Sequence, residues 1–297
     1  MRQIYRCAGL ALVLMLLAGC GGGDDESSVP APFKYDSKPL DLTSKRTSYG
    51  DADVKVEDVS FAGPGDTRLT GYLVTPVSES SDRRPAVVYA HGAGGDRQEM
   101  LDEARYMAET GAVTLTLDMI YSPSRAEALP TTGMEAVRAN SALEVECVRE
   151  IRRAVDLLQS LDSVDEGRIG YVGWSAGARM GALISGVEHR IEAFDLIAGG
   201  AAPISEYVNA APAELRAELR EIFETTDTLH YVGLAKPSAL LFQLGRQDEV
   251  VPEAALRELA RAGSEPKDVR WYDTGHAPSE ELWADSRDWL GKELEVD

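Results

Sequence analysis

The chain has 297 residues and a formal net charge of −20, from 30 basic and 50 acidic side chains. This acidic balance argues against nucleic-acid binding and against adsorption to anionic lipid. The length suits one domain with a large buried core. Alternating strand and helix patterns predict an α/β fold with a mostly parallel, doubly wound sheet of about eight strands and helices on both faces.

The N-terminus has the layout of a secretory signal. Two arginines precede an apolar run from about residue 7 to residue 18, which is too short to span a bilayer. The run ends in Leu-Ala-Gly-Cys at residues 17–20, which resembles the bacterial lipobox and implies that Cys20 carries a lipid. We therefore expect an extracytoplasmic protein, lipid-anchored to a membrane of the bacterial cell envelope. A plain signal peptide cleaved nearby is the alternative.

The residues after the lipobox differ in composition from the rest of the chain. Residues 21 to about 53 are rich in Gly, Ser, Asp and Pro and contain few apolar side chains, which is typical of a flexible tether. The sequence thus divides into a signal peptide at 1–19, a tether at 20–53 and a catalytic domain at 54–297.

A glycine-rich turn follows a buried-strand pattern at residues 85–90. The turn is His-Gly-Ala-Gly-Gly at residues 91–95. Such a turn leaves backbone N–H groups free to bind a developing oxyanion, and we expect the N–H of Ala93 to be one donor. A phosphate-binding loop is the alternative, but no Lys-Ser or Lys-Thr pair follows the glycines. His91 is expected to support the turn.

A helix is expected at about residues 141–158. Ser141 and Glu144 have the spacing of a capping box at its start. One apolar stripe is formed by Leu143, Cys147, Val148, Ile151, Val155 and Leu158. Because Cys147 lies on this stripe, we expect a buried, inert thiol there.

The strongest chemical signal is Gly-Trp-Ser-Ala-Gly at residues 173–177. Residues 168–172 have the pattern of a short strand, and residues 176–184 are rich in helix formers. A serine on a sharp strand-to-helix turn has a strained backbone, and glycines two residues either side prevent collisions. The pattern predicts Ser175 as a nucleophile and the N–H of Ala176 as the second oxyanion donor. An ordinary glycine-rich turn is the alternative.

Two segments are candidates for a roof over the site, residues 119–139 and residues 203–236. The second contains an amphipathic helix that begins near Pro212. Its apolar face is formed by Leu215, Leu219, Ile222 and Phe223. We expect a small lid in which Phe223 contacts substrate, unless this helix packs on the outside of the sheet as ordinary core. Trp174 is expected either to line the acyl side of the pocket or to serve in packing.

Two further strand-to-loop junctions carry an acid and a base. Asp248 follows a buried-strand pattern at residues 238–244, and His276 follows another at residues 269–272. Alone, each could be a turn aspartate or a solvated loop histidine. Placed after strands and in the order Ser, Asp, His along the chain, they predict a catalytic triad with Ser175.

Together these motifs resemble the α/β-hydrolase superfamily, and within it the dienelactone hydrolases and prolyl-oligopeptidase-like esterases. The shared motifs are His-Gly-x-Gly-Gly, Gly-x-Ser-x-Gly, Gly-x-x-Asp-x-x-Val-Pro and Gly-His, and the resemblance covers roughly residues 55–295. It implies the α/β-hydrolase fold and cleavage of carboxylic esters. One departure is Ser175 itself, because dienelactone hydrolases proper use a cysteine nucleophile, so lactone cleavage is not implied.

The expected protein is therefore a serine esterase acting on a small-molecule ester through an acyl-enzyme. No cofactor or metal is expected, because the sequence shows no nucleotide-binding motif and no cluster of metal-ligand spacing. A serine peptidase of prolyl-oligopeptidase type, with the same machinery, is one alternative. A catalytically silent binding lipoprotein is another, and the complete set of catalytic elements argues against it.

Overall fold

A computed structural model describes residues 28–78, 82–125 and 130–296. Within these ranges one sheet of nine strands forms the centre of the molecule. The strands are β1 Thr43–Arg46, β2 Val54–Ala62, β3 Arg68–Pro76, β4 Arg84–Ala90, β5 Val113–Leu117, β6 Val164–Trp174, β7 Ala193–Ile197, β8 Ala239–Gly245 and β9 Lys267–Tyr272. Their order across the sheet is β1-β2-β3-β5-β4-β6-β7-β8-β9.

The direction of the strands divides the sheet into two parts. The pairs β1–β2, β2–β3 and β3–β5 are antiparallel, and every pair from β5 across to β9 is parallel. The expected mostly parallel sheet is confirmed. The chain passes from β4 to β5 on one side and then returns to β6 on the other side of β4, so the strand order reverses there. In open α/β sheets ligands bind at the carboxyl ends of the strands beside such a reversal.

Helices cover both faces of the sheet. They are α1 Leu101–Glu109, α2 Gly133–Gln159, α3 Ala176–Ser185, α4 Ile204–Ala210, α5 Arg216–Thr225, α6 Thr228–Val232, α7 Glu253–Ala262 and α8 Glu280–Glu293. Buried residues of α1 and α8 share one apolar cluster with one face of the sheet. Those of α2, α3, α6 and α7 share the other cluster with the opposite face. Within the described ranges, no helix combines the length and apolar character needed to cross a membrane.

The central strands are apolar on both sides, which explains their continuous hydrophobic sequence. On β4, Val88 faces the cluster of α2 and α3, whereas Val87 and Tyr89 face the cluster of α1 and α8. On β6, Tyr171 and Val172 divide in the same way. Strands covered by helices on both faces have no solvent side, so the sequence does not alternate between apolar and polar residues.

The segment before β2 packs on the domain. Phe33 is fully buried and meets Tyr231 edge to face, with ring centroids 5.5 Å apart. Strand β1 extends the antiparallel edge of the sheet by pairing with β2. The sequence places these residues in a tether at 20–53, but from residue 28 onward the segment contains both a buried anchor and a strand. The signal peptide and Cys20 lie outside the described residues.

Arginines of α2 hold this segment through its backbone. Arg149 Nε donates to the carbonyl oxygen of Pro32 at 2.8 Å, and Arg152 Nη1 donates to that of Phe33 at 3.0 Å. Arg153 donates to the carbonyl of Lys38 in the same manner. An irregular segment needs such partners for its backbone carbonyl groups. These partners lie far away in the sequence, so the polar composition of the segment alone did not reveal that it packs on the domain.

Helix α2 begins at Gly133, earlier than the expected start at Ser141. The capping-box prediction is wrong, because the two polar side chains have other partners within the folded protein. Ser141 Oγ donates to the carbonyl of Ile222 on α5 at 3.4 Å. Glu144 forms an ion pair with Arg179 on α3. Both residues therefore join neighbouring helices instead of capping their own.

Candidate active site

Ser175 occupies a strained turn between β6 and α3. Its φ of 56° and ψ of −111° lie in a backbone region that residues other than glycine avoid. The Ser175 N–H donates to Ile197 O on β7 at 2.8 Å. A Cβ atom at Gly173 would lie 2.5 Å from the backbone of Gly177, and one at Gly177 would lie 2.3 Å from Ala90 O. The two glycines are thus required sterically, as the sequence pattern indicates.

A continuous hydrogen-bonded chain joins the three residues expected to form a triad. Ser175 Oγ lies 2.8 Å from His276 Nε2, and His276 Nδ1 lies 2.9 Å from Asp248 Oδ2. The other Asp248 oxygen accepts the N–H groups of Val250 at 2.9 Å and Val251 at 2.8 Å. The carboxylate is only 1 % exposed and can only accept, so Nδ1 donates to it and Nε2 is left to accept the serine proton.

Trp174 supports the histidine loop. Its indole N–H donates to His276 O at 3.0 Å, and the two rings lie 5.7 Å apart between centroids. The same ring contacts the position of Gly92. The cavity beside Ser175 is lined by other residues. Of the two roles expected for Trp174, the structure thus shows packing. Trp174 is not among the residues that line the cavity beside Ser175.

The glycine-rich turn after β4 lies against the nucleophile. A Cβ atom at Gly92 would be 3.5 Å from Ser175 Cβ. His91 is buried, with Nε2 accepting the N–H of Met119 at 3.0 Å and Nδ1 within 2.6 Å of Gly92 O. A ring nitrogen that accepts a backbone N–H carries no proton, so Nδ1 is the donor. His91 fastens the turn to the end of β5, as expected.

Two backbone N–H groups beside Ser175 remain available. Ala176 is the first residue of α3, so its N–H has no acceptor within the helix. The neighbouring amide of Gly92 is held by Glu99 Oε2 at 3.1 Å, whereas that of Ala93 makes no backbone hydrogen bond with any described residue. Glu99 was not found from the sequence, because an acid seven positions after the glycine has no recognisable motif.

An open cavity of about 540 Å³ lies beside Ser175 and extends under α4 toward α7. Glu206 of α4 and Glu258 of α7 contribute acidic groups to its wall. Arg179 also lines it and is paired with Glu144. The cavity thus adjoins the free amide of Ala176 on one side and the insertion after β7 on the other.

The segment expected to be a lid divides into two parts. Its first part contains α4 and α5, where Phe223 stacks on Tyr207 at 6.2 Å between ring centroids. Helix α5 packs on α2 and α4, not on the outer face of the sheet. Its last part is α6, in which Tyr231 and Val232 belong to the buried core. Residues 203–226 are therefore the insertion, and the expected lid at 203–236 is too long.

Two other buried titratable groups lie away from this site. Burial raises the pKa of the Cys147 thiol well above its ordinary value, in agreement with an inert cysteine. Burial also raises the pKa of Asp195 to about 7, although hydrogen bonds from Ser286 and Gln243 oppose the shift. Asp195 lies on β7 and accepts Gln243 Nε2 at 2.8 Å and Ser286 Oγ at 2.5 Å.

The doubly wound sheet, the serine elbow after β6 and the acid and base after β8 and β9 define an α/β-hydrolase. Over residues 69–216 the chain matches the model of the dienelactone hydrolase family. It is accordingly a serine-type hydrolase of carboxylic esters. The matched span includes Ser175, whereas Asp248 and His276 lie beyond it.

Solved structures share this fold at low sequence identity. An acetyl xylan esterase from Paenibacillus sp. R4 has a TM-score of 0.73 and 21% identity, covering 86% of this chain and 90% of its own. Acetyl xylan esterase 1 from Thermoanaerobacterium sp. JW/SL YS485 has a TM-score of 0.70 and 16% identity, covering 88% and 89%. A puromycin-hydrolyzing peptidase from Mycobacterium tuberculosis has a TM-score of 0.64 and 15% identity, covering 84% and 41%. A comparison with curated protein sequences gave no match.

Proposed function

We propose that the protein hydrolyses small-molecule carboxylic esters through an acyl-enzyme formed on Ser175. The main support is the pair of hydrogen bonds that link Ser175 Oγ to His276 at 2.8 Å and His276 to Asp248 at 2.9 Å. As Oγ attacks the ester carbonyl, Nε2 of His276 takes its proton and returns it to the leaving alcohol. Asp248 orients the imidazole and stabilises its charged form. Water then attacks the acyl-enzyme: His276 takes a proton from the water and returns it to Ser175 Oγ as the acid is released.

The negative charge that develops on the carbonyl oxygen needs donors that are already in place. The N–H groups of Ala93 and Ala176 are proposed to supply them. Ala176 also opens α3, whose N-terminal end carries a partial positive charge. Loss of one such donor typically costs about 3–4 kcal/mol of transition-state stabilisation.

Esters are favoured over peptides as substrates. The two acetyl xylan esterases are ester hydrolases by name, which agrees with the match to the dienelactone hydrolase family model. The puromycin-hydrolyzing peptidase shares the fold, so the fold is compatible with amide cleavage. A purified domain should hydrolyse p-nitrophenyl acetate and butyrate well and aminoacyl-p-nitroanilides weakly or not at all. Faster cleavage of the anilides would reverse this assignment.

Replacement of the nucleophile tests the mechanism. Ser175→Ala should lower kcat by about 10⁶ and abolish labelling by a fluorophosphonate probe. Ser185→Ala is a matched control, because Ser185 is a buried serine at the far end of α3 whose Oγ donates to Ala182 O and has no other hydrogen bond among the described residues. Full esterase activity in Ser175→Ala, or labelling that persists, would refute the serine mechanism.

We also propose that the protein is held at a membrane of the cell envelope by a lipid on Cys20, a proposal supported by the lipobox sequence alone. In a bacterial host that processes lipoproteins, Cys20→Ser should remove the mass of the lipid and shift the protein out of the membrane fraction. Cys147→Ser is the matched control, since that cysteine is buried in the domain and its replacement should leave the membrane fraction unchanged. An unaltered mass for Cys20→Ser would exclude lipidation at this residue.

A further inference from the structure

A second chamber adjoins the catalytic cavity. It has a volume of about 440 Å³ and lies between the first turns of α2 and the insertion formed by α4 and α5. This size is within the range of small-molecule pockets. Its apolar wall includes Met134, Val137, Ile204, Tyr207, Leu219 and Phe223. The mechanism described above does not use this chamber.

Three polar side chains of the chamber, Asn140, Ser141 and Glu144, are already bonded to the protein. Asn140 Nδ2 donates to Ala136 O at 2.9 Å, and Ser141 Oγ donates to Ile222 O at 3.4 Å. Glu144 is neutralised by its ion pair with Arg179. The two charged side chains of the wall pair with each other, so a charged occupant would find no unpaired counter-charge among the described lining residues. The chamber therefore favours an apolar occupant.

The chamber and the catalytic cavity share a wall. Arg179, Ala202 and Tyr207 line both of them, and Ser175 lines the catalytic cavity. Tyr207 is 55% exposed although its ring stacks on Phe223. A large aromatic ring left exposed at the junction of two cavities suits contact with a ligand that passes from one to the other.

We infer that the chamber binds an apolar chain of the ester while its carbonyl group lies at Ser175, which selects esters with an alkyl or aryl group larger than acetyl or methyl. The inference rests on the proposed function and adds the substrate class. The chain can belong either to the acyl part or to the alcohol part of the ester. Both sources present the same chemistry to the wall, so the experiment has one arm for each.

The test fills the chamber and leaves the catalytic cavity untouched. Val137→Trp places a bulky ring in the chamber from α2, and Leu215→Trp does so from the insertion; Ala142→Trp, on the exposed side of α2, is the matched control. The substrates are methyl acetate, methyl octanoate and octyl acetate, followed by titration of the released acid. Melting temperatures and the methyl acetate rate show whether each variant is folded.

Both filling variants should lower kcat/KM by about ten- to a hundred-fold for one of the two long esters, the range for apolar pocket contacts, and leave methyl acetate within about twofold. A loss on methyl octanoate places the acyl chain in the chamber, and a loss on octyl acetate places the alcohol chain there. Unchanged rates on both long esters in a folded Val137→Trp protein would overturn the inference, and so would an equal loss on all three esters. Failure of the proposed function is separate, because it would appear as wild-type protein that hydrolyses none of them.

Discussion

The catalytic loops and the α4–α5 insertion lie above the same edge of the sheet but are held in different ways. Ser175 donates its backbone N–H to Ile197 O, and the Asp248 carboxylate accepts the backbone N–H groups of Val250 and Val251. The insertion is held mainly by side chains, such as the Tyr207–Phe223 stack and the Arg138–Glu218 ion pair. Exposed ion pairs of this kind contribute little to stability. The reactive centre is thus rigidly built, whereas the surface proposed to meet the apolar part of a substrate can change at small cost.

After the loss of the Ser175 nucleophile, the largest effect is expected from the acid of the rigid region. Asp248→Asn should lower kcat by about 10⁴, because an amide group favours the wrong tautomer of His276, and should leave the fold intact. Glu249→Gln, in the same loop, should be nearly silent. Steady-state kinetics and melting temperatures of both variants measure the difference. Equal losses in the two would mean that the acid has been assigned to the wrong residue.

This contrast also separates what the sequence predicts from what it does not. The three residues of the proposed triad follow their strands within a few positions, so local patterns and chain order were enough to predict that they lie together, as their hydrogen bonds show. The start of α2 and the docked segment before β2 depend on contacts such as that between Arg152 and Phe33, which are 119 positions apart. A pattern confined to a short window carries no information about such partners, and the Ser141 capping box was misassigned for the same reason.

A pair of phenylalanines tests whether the insertion is separate from the core. Phe242 on β8 is fully buried, so Phe242→Ala should cost about 3–5 kcal/mol of unfolding free energy. Phe223 is half-buried, so Phe223→Ala should cost much less and instead alter the relative kcat/KM for short and long esters by about 1–3 kcal/mol. Urea unfolding and ester kinetics on both variants measure these quantities. A Phe223→Ala protein with a core-like loss of stability and unchanged preference would place α5 in the core.

The stability of the folded protein should also depend on pH through Asp195, which lies on β7 away from the active site. In the unfolded chain this carboxyl ionises near 3.8, whereas burial raises its pKa to about 7 in the folded protein. Between these values only the folded state holds the proton, so the free energy of unfolding falls as pH rises. Asp195→Asn removes this component and should gain roughly 2 kcal/mol relative to wild type between pH 5 and pH 7.

Urea unfolding at several pH values measures the gain. Asp288→Asn on the exposed side of α8 is the control, and its stability relative to wild type should stay nearly constant with pH. A constant offset for Asp195→Asn as well would show that Asp195 does not bind a proton in this range.

The smallest effect is expected at Trp174, which supports His276 within the catalytic loops. Trp174→Phe keeps an aromatic ring but removes the hydrogen bond to His276 O. The loss should be about 1 kcal/mol, seen as a several-fold lower kcat with unchanged preference between short and long esters. A change in that preference without a loss of kcat would assign Trp174 to substrate contact instead.

The length of α2 bears on how the enzyme can be immobilised. Its first turns form a wall of the apolar chamber, and its arginines near residue 152 hydrogen-bond to the segment that precedes β2. The helical rise separates Val137 from Arg152 by roughly 22 Å. A bead, a fusion partner or a membrane attached at the N-terminus therefore pulls on the end of the helix remote from the substrate entrance. Attachment there should leave the opening unobstructed, whereas linkage through surface groups of α4 or α5 should block it.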